Sequence, residues 1–183
     1  MNKHVRFRLV LWKKVEKWFS RRKAGLSVVR LMMEYGIRID ESGRLYIGDI
    51  ELSDYAVARA AKVDRRVVKD TAKYLLSNHE LKEIFTKLKP AGPSLVDIAP
   101  HLGYTVIKVY ADPHSPGILA SVSSILAAHG LVIRQALADD PDLYPEPALT
   151  LVIEGRIPAE GLEKLQNLKN IRSFTILALQ EGR

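Results

Sequence analysis

The turn from Asp112 to Leu119 has the residue types of an anion-binding helix start. Ser115 can cap a helix whose first position is Pro116, because proline's missing N–H and fixed φ suit that position. The N–H groups of the next three residues would then point out of the helix, where they attract a carboxylate or a phosphate. Gly117 would lie in the first helical turn without needing a positive φ, and would let a ligand approach closely. An ordinary capped helix explains the same local pattern.

No catalytic constellation is evident in the chain. Its five histidines show neither H-x-x-x-H nor H-E-x-x-H spacing, and it has no triad and no phosphate-binding loop. The absence of cysteine excludes disulfides, thiol catalysis and Cys-ligated zinc. The acidic loop at residues 139–142 lacks an EF-hand pattern and is predicted to be a solvated connection. We therefore expect no enzyme, no metal and no cofactor. His114, beside the turn, is a candidate for ligand contact, although a loop histidine is more often simply exposed.

The turn is predicted to follow a strand and to precede a helix. The β-branched, apolar run at residues 105–111 ends at Asp112-Pro113. Apolar residues then recur at helical spacing from Ile118 to Leu126, and Gly130 supplies the left-handed residue that closes the helix. A second strand is predicted from Leu131 to Leu137.

Three further elements are predicted in the rest of the chain. They are a strand from Ala148 to Glu154, a helix opened by Pro158 and running to about Leu168, and a strand from Ile171 to Leu179. Together with the Pro-Gly turn and His129-Gly130, this order resembles an ACT domain over 79 residues, from Thr105 to the C-terminus. That family comprises ferredoxin-like βαββαβ modules that bind amino acids in biosynthetic enzymes and regulators.

The resemblance implies a small amino-acid ligand between paired domains, with this turn on one domain and the second strand of the other closing the pocket. It therefore implies a homodimer or a higher homo-oligomer. The ligand-binding residues that we assign are Asp112, His114, Ser115, Gly117, Ile118 and Leu119.

A second functional stretch is residues 53–76, SDYAVARAAKVDRRVVKDTAKYLL. Ser53 and Asp64 can cap two short helices that meet at a tight turn. The stretch resembles a helix-turn-helix, whose apolar and small positions are matched by Val57, Ala58, Val63 and Val68. Lys62 stands where glycine is usual and would occupy the left-handed region at some cost.

The helix-turn-helix resemblance implies that the second helix, Arg65 to Leu76, lies in the major groove of double-stranded DNA. Arginine can bind guanine bidentately, and lysine can meet phosphate. The base-edge candidates are Arg65, Arg66 and Lys69, and the backbone candidates are Arg59 and Lys73. A helical hairpin that happens to be basic is the alternative.

The segments before this stretch are predicted to support it. Residues 5–23 are predicted to form an amphipathic basic helix whose tryptophan-bearing stripe packs on another helix. The alternatives are that this helix lies on a membrane or reaches a DNA backbone. Gly25 is predicted to separate this helix from a core helix, Leu26 to Tyr35, which Gly36 ends. Apolar alternation around residues 40–43 predicts a β-hairpin that could continue to Leu52.

Charge and composition divide the chain in two. Residues 1–90 hold 21 Lys and Arg against 11 Asp and Glu, which gives +10, whereas residues 91–183 hold 7 against 10, which gives −3. A basic half beside a mildly acidic one suits nucleic acid on one side and a small or protein partner on the other. With no apolar run near the roughly 18 residues of a membrane span, we expect a cytoplasmic protein without membrane contact.

These patterns predict an α+β protein with a mostly helical helix-turn-helix domain at residues 1–90. A linker with a short helix capped by Ser94 follows at residues 91–103, and an ACT-like domain at residues 104–183. The predicted function is an amino-acid-responsive transcriptional regulator. The alternative is a regulatory subunit that does not bind DNA and confers amino-acid feedback on a biosynthetic enzyme.

Overall fold

The structure is a computed structural model of the 183-residue chain. It describes residues 11–178, and the side chains of residues 12–177. Within that part the fold is mixed α+β, with seven α-helices and two antiparallel sheets. The chain divides into two compact units, Met1–Gly92 and Pro93–Arg183.

The described part of the N-terminal unit contains five helices and a small sheet. The helices are α1 (Leu11–Trp18), α2 (Lys23–Tyr35), α3 (Asp54–Ala61), α4 (Arg65–Ser77) and α5 (His79–Phe85). The strands are β1 (Ile37–Ile39), β2 (Leu45–Ile47) and β3 (Ile50–Leu52), which pair in that order. The predicted hairpin is therefore confirmed, with a third strand that reaches Leu52.

The boundary predicted between the first two helices is wrong. A helix over residues 5–23 was expected, but α1 ends at Trp18 and α2 already begins at Lys23; residues 5–10 lie outside the described part. Gly25 lies inside α2 instead of separating two helices. A Cβ at this position would lie 3.0 Å from Thr71 Oγ1 and 3.1 Å from Phe19 Cε1, so the glycine serves close packing. Gly36 does end α2, with a left-handed φ of 64°.

The apolar stripe of α1 packs inside the N-terminal unit. Trp12, Val15 and Phe19 are each at most 3% exposed. The rings of Phe19 and Tyr74 meet edge to face with centroids 5.2 Å apart, and the Tyr74 hydroxyl donates to the Trp18 carbonyl at 3.3 Å. The packing prediction is confirmed, because a membrane-surface helix would leave this stripe uncovered. None of the helices in the described part is long and apolar enough to cross a membrane.

The hairpin turn is organised by Asp40. Its Oδ1 accepts hydrogen bonds from the Ser42 N–H, the Ser42 hydroxyl and the Arg44 N–H at 2.8 to 2.9 Å. Partial burial opposes ionisation of this carboxyl, but the hydrogen bonds from Ser42 and Arg44 outweigh it and lower the pKa of Asp40 below its usual value. Gly43 completes the turn with a φ of 85° and lies close to Ala72 and Leu76 of α4. The hairpin is thus fixed beside α4.

The C-terminal unit is a four-stranded sheet with two helices. The elements are β4 (Tyr104–Ala111), α6 (Ile118–Ala128), β5 (Val132–Ala138), β6 (Leu149–Glu154), α7 (Ala159–Gln166) and β7 (Ile171–Ala178). The strands lie in the order β5-β6-β4-β7, and every neighbouring pair is antiparallel. A core of β4 and β6 side chains packs against Val122, Leu126 and Leu165 of the helices. The end predicted for the last strand, Leu179, lies outside the described residues.

The end of α6 confirms its predicted glycine stop. Gly130 has a φ of 70°, and its N–H donates to the Ala127 carbonyl at 2.9 Å. The Leu131 N–H donates to the Leu126 carbonyl at 3.0 Å. These two bonds form a Schellman motif, which satisfies the last carbonyls of the helix.

The capped helix predicted from Ser94 is wrong. The Ser94 hydroxyl accepts only a local bond from the Val96 N–H, and the helical element is a 3₁₀ turn at Ala99–Leu102. Tertiary contacts hold the preceding residues in an extended path. Gln135 donates to the Pro93 carbonyl at 2.7 Å and accepts from the Leu95 N–H at 2.8 Å.

Candidate nucleic-acid interface and ligand cleft

The helices α3 and α4 form a two-helix unit, and each helix begins at the N-cap residue that the sequence predicts. The Ser53 hydroxyl accepts from the Ala56 N–H at 3.2 Å, and the Asp64 carboxylate accepts from the Arg66 N–H at 2.8 Å. Lys62 ends α3 with a φ of 55°, and it is the one non-glycine residue with positive φ in the described part of the chain. The backbone of this turn is therefore left-handed where the sequence offers lysine in place of glycine.

One face of α4 is apolar and the opposite face is basic. Val68, Ala72 and Leu75 are buried, whereas Arg66 and Lys73 are exposed. The burial follows the helical repeat, because residues three and four apart share a face. Val67 is only half-buried because it lies at the edge of that face.

Two of the five predicted DNA contacts share one acidic partner. Asp54, at the start of α3, has its Oδ2 atom 3.8 Å from Arg65 Nε and 3.8 Å from Lys69 Nζ. These pairs border a groove of about 460 Å³ between the hairpin and α4, which Lys73 and Arg44 also line. The sequence did not assign Asp54 a role, because its partners lie 11 and 15 positions away and meet it only through the α3–α4 turn.

The five predicted residues do not form a single patch. Arg65, Lys69 and Lys73 line the groove beside the hairpin, and Arg66 lies on the exposed face of α4. Arg59 is exposed on α3 and does not line that groove.

The predicted ligand turn borders a cleft of about 240 Å³. Most of the predicted residues line it, namely Asp112, Ser115, Gly117, Ile118 and Leu119. His114 does not line this cleft; it borders a neighbouring one of about 630 Å³ together with Lys169 and Arg172.

The helix start at this turn differs from the prediction. Ser115 does not cap the helix and Pro116 does not open it; α6 begins at Ile118, with Gly117 as its N-cap at a φ of 89° and a ψ of 4°. Asp112 causes the difference, because it accepts bonds from the two residues that follow Pro113 and so holds the chain in a separate turn. Its Oδ1 accepts from the His114 N–H and its carbonyl from the Ser115 N–H, both at 3.0 Å. The first helical bond runs from the Ser121 N–H to the Gly117 carbonyl at 2.9 Å.

The N–H groups ahead of that first bond belong to Ile118, Leu119 and Ala120, one residue later than predicted. Gly117 has a left-handed backbone conformation, so the expectation that it needs no positive φ is wrong. A Cβ on Gly117 would have no atom within 4 Å, so the neighbouring space is open to a ligand.

The opposite wall of the cleft comes from residues that the sequence reading missed. Ala138 ends β5 and Asp139 follows it, and residues 147–149 lead into β6. Asp139 was expected in a solvated loop, but its Oδ2 accepts from the Ala148 N–H at 3.2 Å. Antiparallel pairing explains this position, because Leu149 lies opposite both Val109 and Ala138. A predicted order of the strands in this sheet could have identified these wall residues from the sequence.

The described residues contain no group of three or more metal-ligating side chains. No protein-family model and no curated protein matches the chain. Among solved structures, the crystal structure of PH0061 aligns with 88% of this chain and 93% of that one, at 17% identity. Its TM-score of 0.29 is too low to carry an argument about fold or function.

Proposed function

We propose that the protein is an amino-acid-responsive DNA-binding regulator. Its N-terminal unit acts as a helix-turn-helix domain, and its C-terminal unit acts as a ferredoxin-like, ACT-like sensor. The observation that carries the proposal is the two-helix unit of α3 and α4, in which the second helix buries Val68 and leaves Arg66 and Lys73 exposed. Such a helix can present basic side chains to base edges and phosphates.

The sensor half of the proposal is supported by strand order. The element order βαββαβ and the sheet order β5-β6-β4-β7 support the proposed ferredoxin-like arrangement, which the ACT resemblance implies. The cleft after β4 combines three kinds of group that suit an amino acid. The N–H groups at the start of α6 suit its carboxylate, Asp112 and Asp139 suit its ammonium group, and an apolar wall suits its side chain.

The regulatory mechanism follows from linkage. If a ligand between two sensor units prefers one dimer arrangement, it alters the separation of the two recognition helices and so changes DNA affinity. A coupling of about 1 to 3 kcal/mol corresponds to a change of roughly 5- to 150-fold. Sedimentation at micromolar concentration should therefore show at least a dimer, and a monomer with and without amino acids would contradict this mechanism.

A salt titration of DNA binding tests the proposal. The affinity of the full chain for a labelled 30-base-pair duplex is measured by fluorescence anisotropy at several salt concentrations. Neutralised phosphates give a steep log–log slope of about −0.9 for each contact. A flat plot would favour the regulatory subunit that docks on a biosynthetic enzyme.

Two variants of equal charge refine this test. Arg66→Ala should weaken DNA binding, and it should relax specificity by about 1 to 3 kcal/mol if the guanidinium reads a base. Lys87→Ala removes one positive charge from the turn after α5 and should leave binding unchanged. If both variants bind DNA with equal affinity, α4 is not part of the DNA interface.

The sensor is tested separately by a thermal-shift screen of the twenty amino acids. A ligand that binds only the folded state raises Tm in a concentration-dependent way. Failure of every amino acid to shift Tm would contradict the sensor assignment and leave the DNA-binding assignment standing.

A further inference from the structure

Residues 20–23, which comprise the end of the connection between α1 and α2 and the first residue of α2, carry three consecutive basic residues. Arg21, Arg22 and Lys23 are all exposed, and none of them forms an ion pair within residues 11–178. The basic residues of the hairpin groove differ in this respect, because Arg65 and Lys69 share Asp54. Residues 20–23 therefore concentrate positive charge that has no acidic partner among the described residues, and we name this segment the basic loop.

The basic loop is held against α4. Its three basic residues border a groove of about 300 Å³ whose other wall includes Val67 and Asp70 of α4. The Arg22 guanidinium carbon lies 4.5 Å from the centroid of the Tyr74 ring, a cation–π contact.

The basic loop and the hairpin lie on opposite flanks of α4. At 100° per residue, Val67 and Tyr74 project to one side of the helix, and Ala72 and Leu76 project towards the hairpin. Arg66 and Lys73 lie between these sides on the exposed face. The helix is thus bordered by basic side chains on both flanks, with Arg44 on the hairpin side.

The geometry of DNA makes basic side chains on both flanks of α4 suitable for binding its phosphates. The major groove is about 12 Å wide, and a phosphate backbone runs along each of its edges. A helix that lies in the groove therefore has one backbone on each flank. Arginine and lysine without an intramolecular partner can bind phosphates without first breaking an ion pair.

We propose that the basic loop is a second DNA-contacting element, which binds the phosphate backbone along the flank of α4 opposite the hairpin. Arg21 and Lys23 contact phosphates, and Arg22 fixes the loop on Tyr74. The inference rests on the proposed function of α4 and assigns it a further contact surface. A membrane surface is a poorer partner, because the apolar residues next to the loop, Trp12, Val15 and Phe19, are buried.

The test compares two double variants that lose equal charge. Arg21→Ala/Lys23→Ala removes the proposed phosphate contacts and keeps Arg22 on Tyr74. The control, Lys87→Ala/Lys89→Ala, removes two positive charges near the other end of α2, since the Lys89 backbone lies beside Gly36. A helix of 13 residues separates the two positions by about 20 Å. Circular dichroism and urea unfolding establish that both variants fold.

Loss of two phosphate contacts should reduce the steepness of the log–log salt slope by about 1.8, and lower affinity at 0.1 M salt by up to about 60-fold. The loss should be equal on unrelated duplexes, because phosphates carry no sequence information. The control should retain the wild-type slope.

The outcomes separate this inference from the proposed function. A flat salt plot for the wild type overturns both. A steep wild-type plot, weakened by Arg66→Ala but not by Arg21→Ala/Lys23→Ala, overturns the basic loop alone. Binding of Arg21 and Lys23 to phosphatidylserine vesicles, with DNA affinity unchanged in the double variant, would assign the loop to a membrane and would also overturn the inference.

Discussion

Asp54 joins two basic residues of the proposed interface in one electrostatic network. Its carboxylate lies 3.8 Å from both Arg65 and Lys69, in a setting where each pair is partly exposed. Such pairs contribute between about 0 and 1 kcal/mol. In the proposed DNA complex, any phosphate that binds these cations must compete with Asp54, so this residue would set how readily the groove accepts DNA.

We expect Asp54→Asn to raise DNA affinity by roughly two- to tenfold, since each released ion pair is worth at most about 1 kcal/mol. The gain should be similar on unrelated duplexes, because it is electrostatic. Anisotropy titrations at one salt concentration measure it. Asp49→Asn, at an exposed acid between β2 and β3, is the matched control. Equal gains in both variants would show a general charge effect and no role for Asp54.

Substitutions at Gly117 and Ser115 are predicted to affect stability differently, because Gly117 is the N-cap of α6 and Ser115 caps nothing. A left-handed φ costs an L-residue about 1 to 2 kcal/mol, so Gly117→Ala should lower the free energy of unfolding by that amount. Asparagine tolerates this region better, and Gly117→Asn should lose less. Ser115 caps nothing, so Ser115→Ala should be neutral within about 0.5 kcal/mol. Urea unfolding of the three variants measures these differences.

A loss of about 1 kcal/mol in Ser115→Ala, with none in Gly117→Ala, would restore the helix start that the sequence predicts. The sequence could not separate the two starts, because serine before Pro-Gly is compatible with both. The decision depends on Asp112, which binds the N–H of His114 and commits the chain to an additional turn.

At the scale of elements, the features that the sequence predicted are those fixed by local chemistry. Ser53 and Asp64 cap their helices as expected, and Gly130 ends α6. Each of these roles depends on backbone groups within a few residues, so the local pattern is sufficient.

The elements that were wrongly predicted depend on distant residues. Gly25 looked like a helix boundary, but α2 passes through it because the side chains of Thr71 and Phe19 occupy the neighbouring space. Residues 93–95 are not helical because Gln135, about 40 positions away, binds the Pro93 carbonyl and the Leu95 N–H. Neither contact has a local signature.

The hairpin should show a pH dependence that comes from Asp40. Because the folded-state pKa of Asp40 is lowered, its charged form stabilises the fold at pH values above its unfolded pKa of about 4. That contribution is lost as pH falls through the lower, folded-state pKa. We expect Asp40→Ala to cost about 1 kcal/mol at pH 7, where the carboxylate accepts bonds from Ser42 and Arg44.

The measurement is urea unfolding of wild type and Asp40→Ala between pH 7 and pH 3. The difference in unfolding free energy should shrink below about pH 4, where protonation removes the charged acceptor from the wild type. Asp49→Ala, in the next turn, should show no such trend. A constant difference across this pH range would mean that Asp40 acts by shape and not by charge.

At the scale of the whole molecule, the sequence indicated two halves through charge, +10 before residue 91 and −3 after it. The structure divides after Gly92. What the sequence could not supply was the far wall of the ligand cleft. Asp139 and Ala148 reach the turn after β4 only because β6 pairs with both β4 and β5, a non-local arrangement.

The proposed coupling between amino-acid binding and DNA binding predicts a reciprocal effect. If an amino acid changes the Kd for DNA by a factor of roughly 5 to 150, saturating DNA must change the Kd for that amino acid by the same factor. Calorimetric titration of the amino acid found in the thermal-shift screen, into the free protein and into its complex with the duplex, measures this factor. Anisotropy titrations of DNA with and without the amino acid measure the factor by which the amino acid changes the Kd for DNA.

Gly117→Asn is the informative variant for this coupling. It should keep the ligand-free affinity for DNA, because the substitution lies in the C-terminal unit. Its side chain would enter the open space beside the α6 start, where the ligand carboxylate is proposed to bind, so both factors should fall to about one together. If saturating DNA leaves the amino-acid Kd of the wild type unchanged, the two halves are not coupled, and the amino acid serves some purpose other than control of DNA binding.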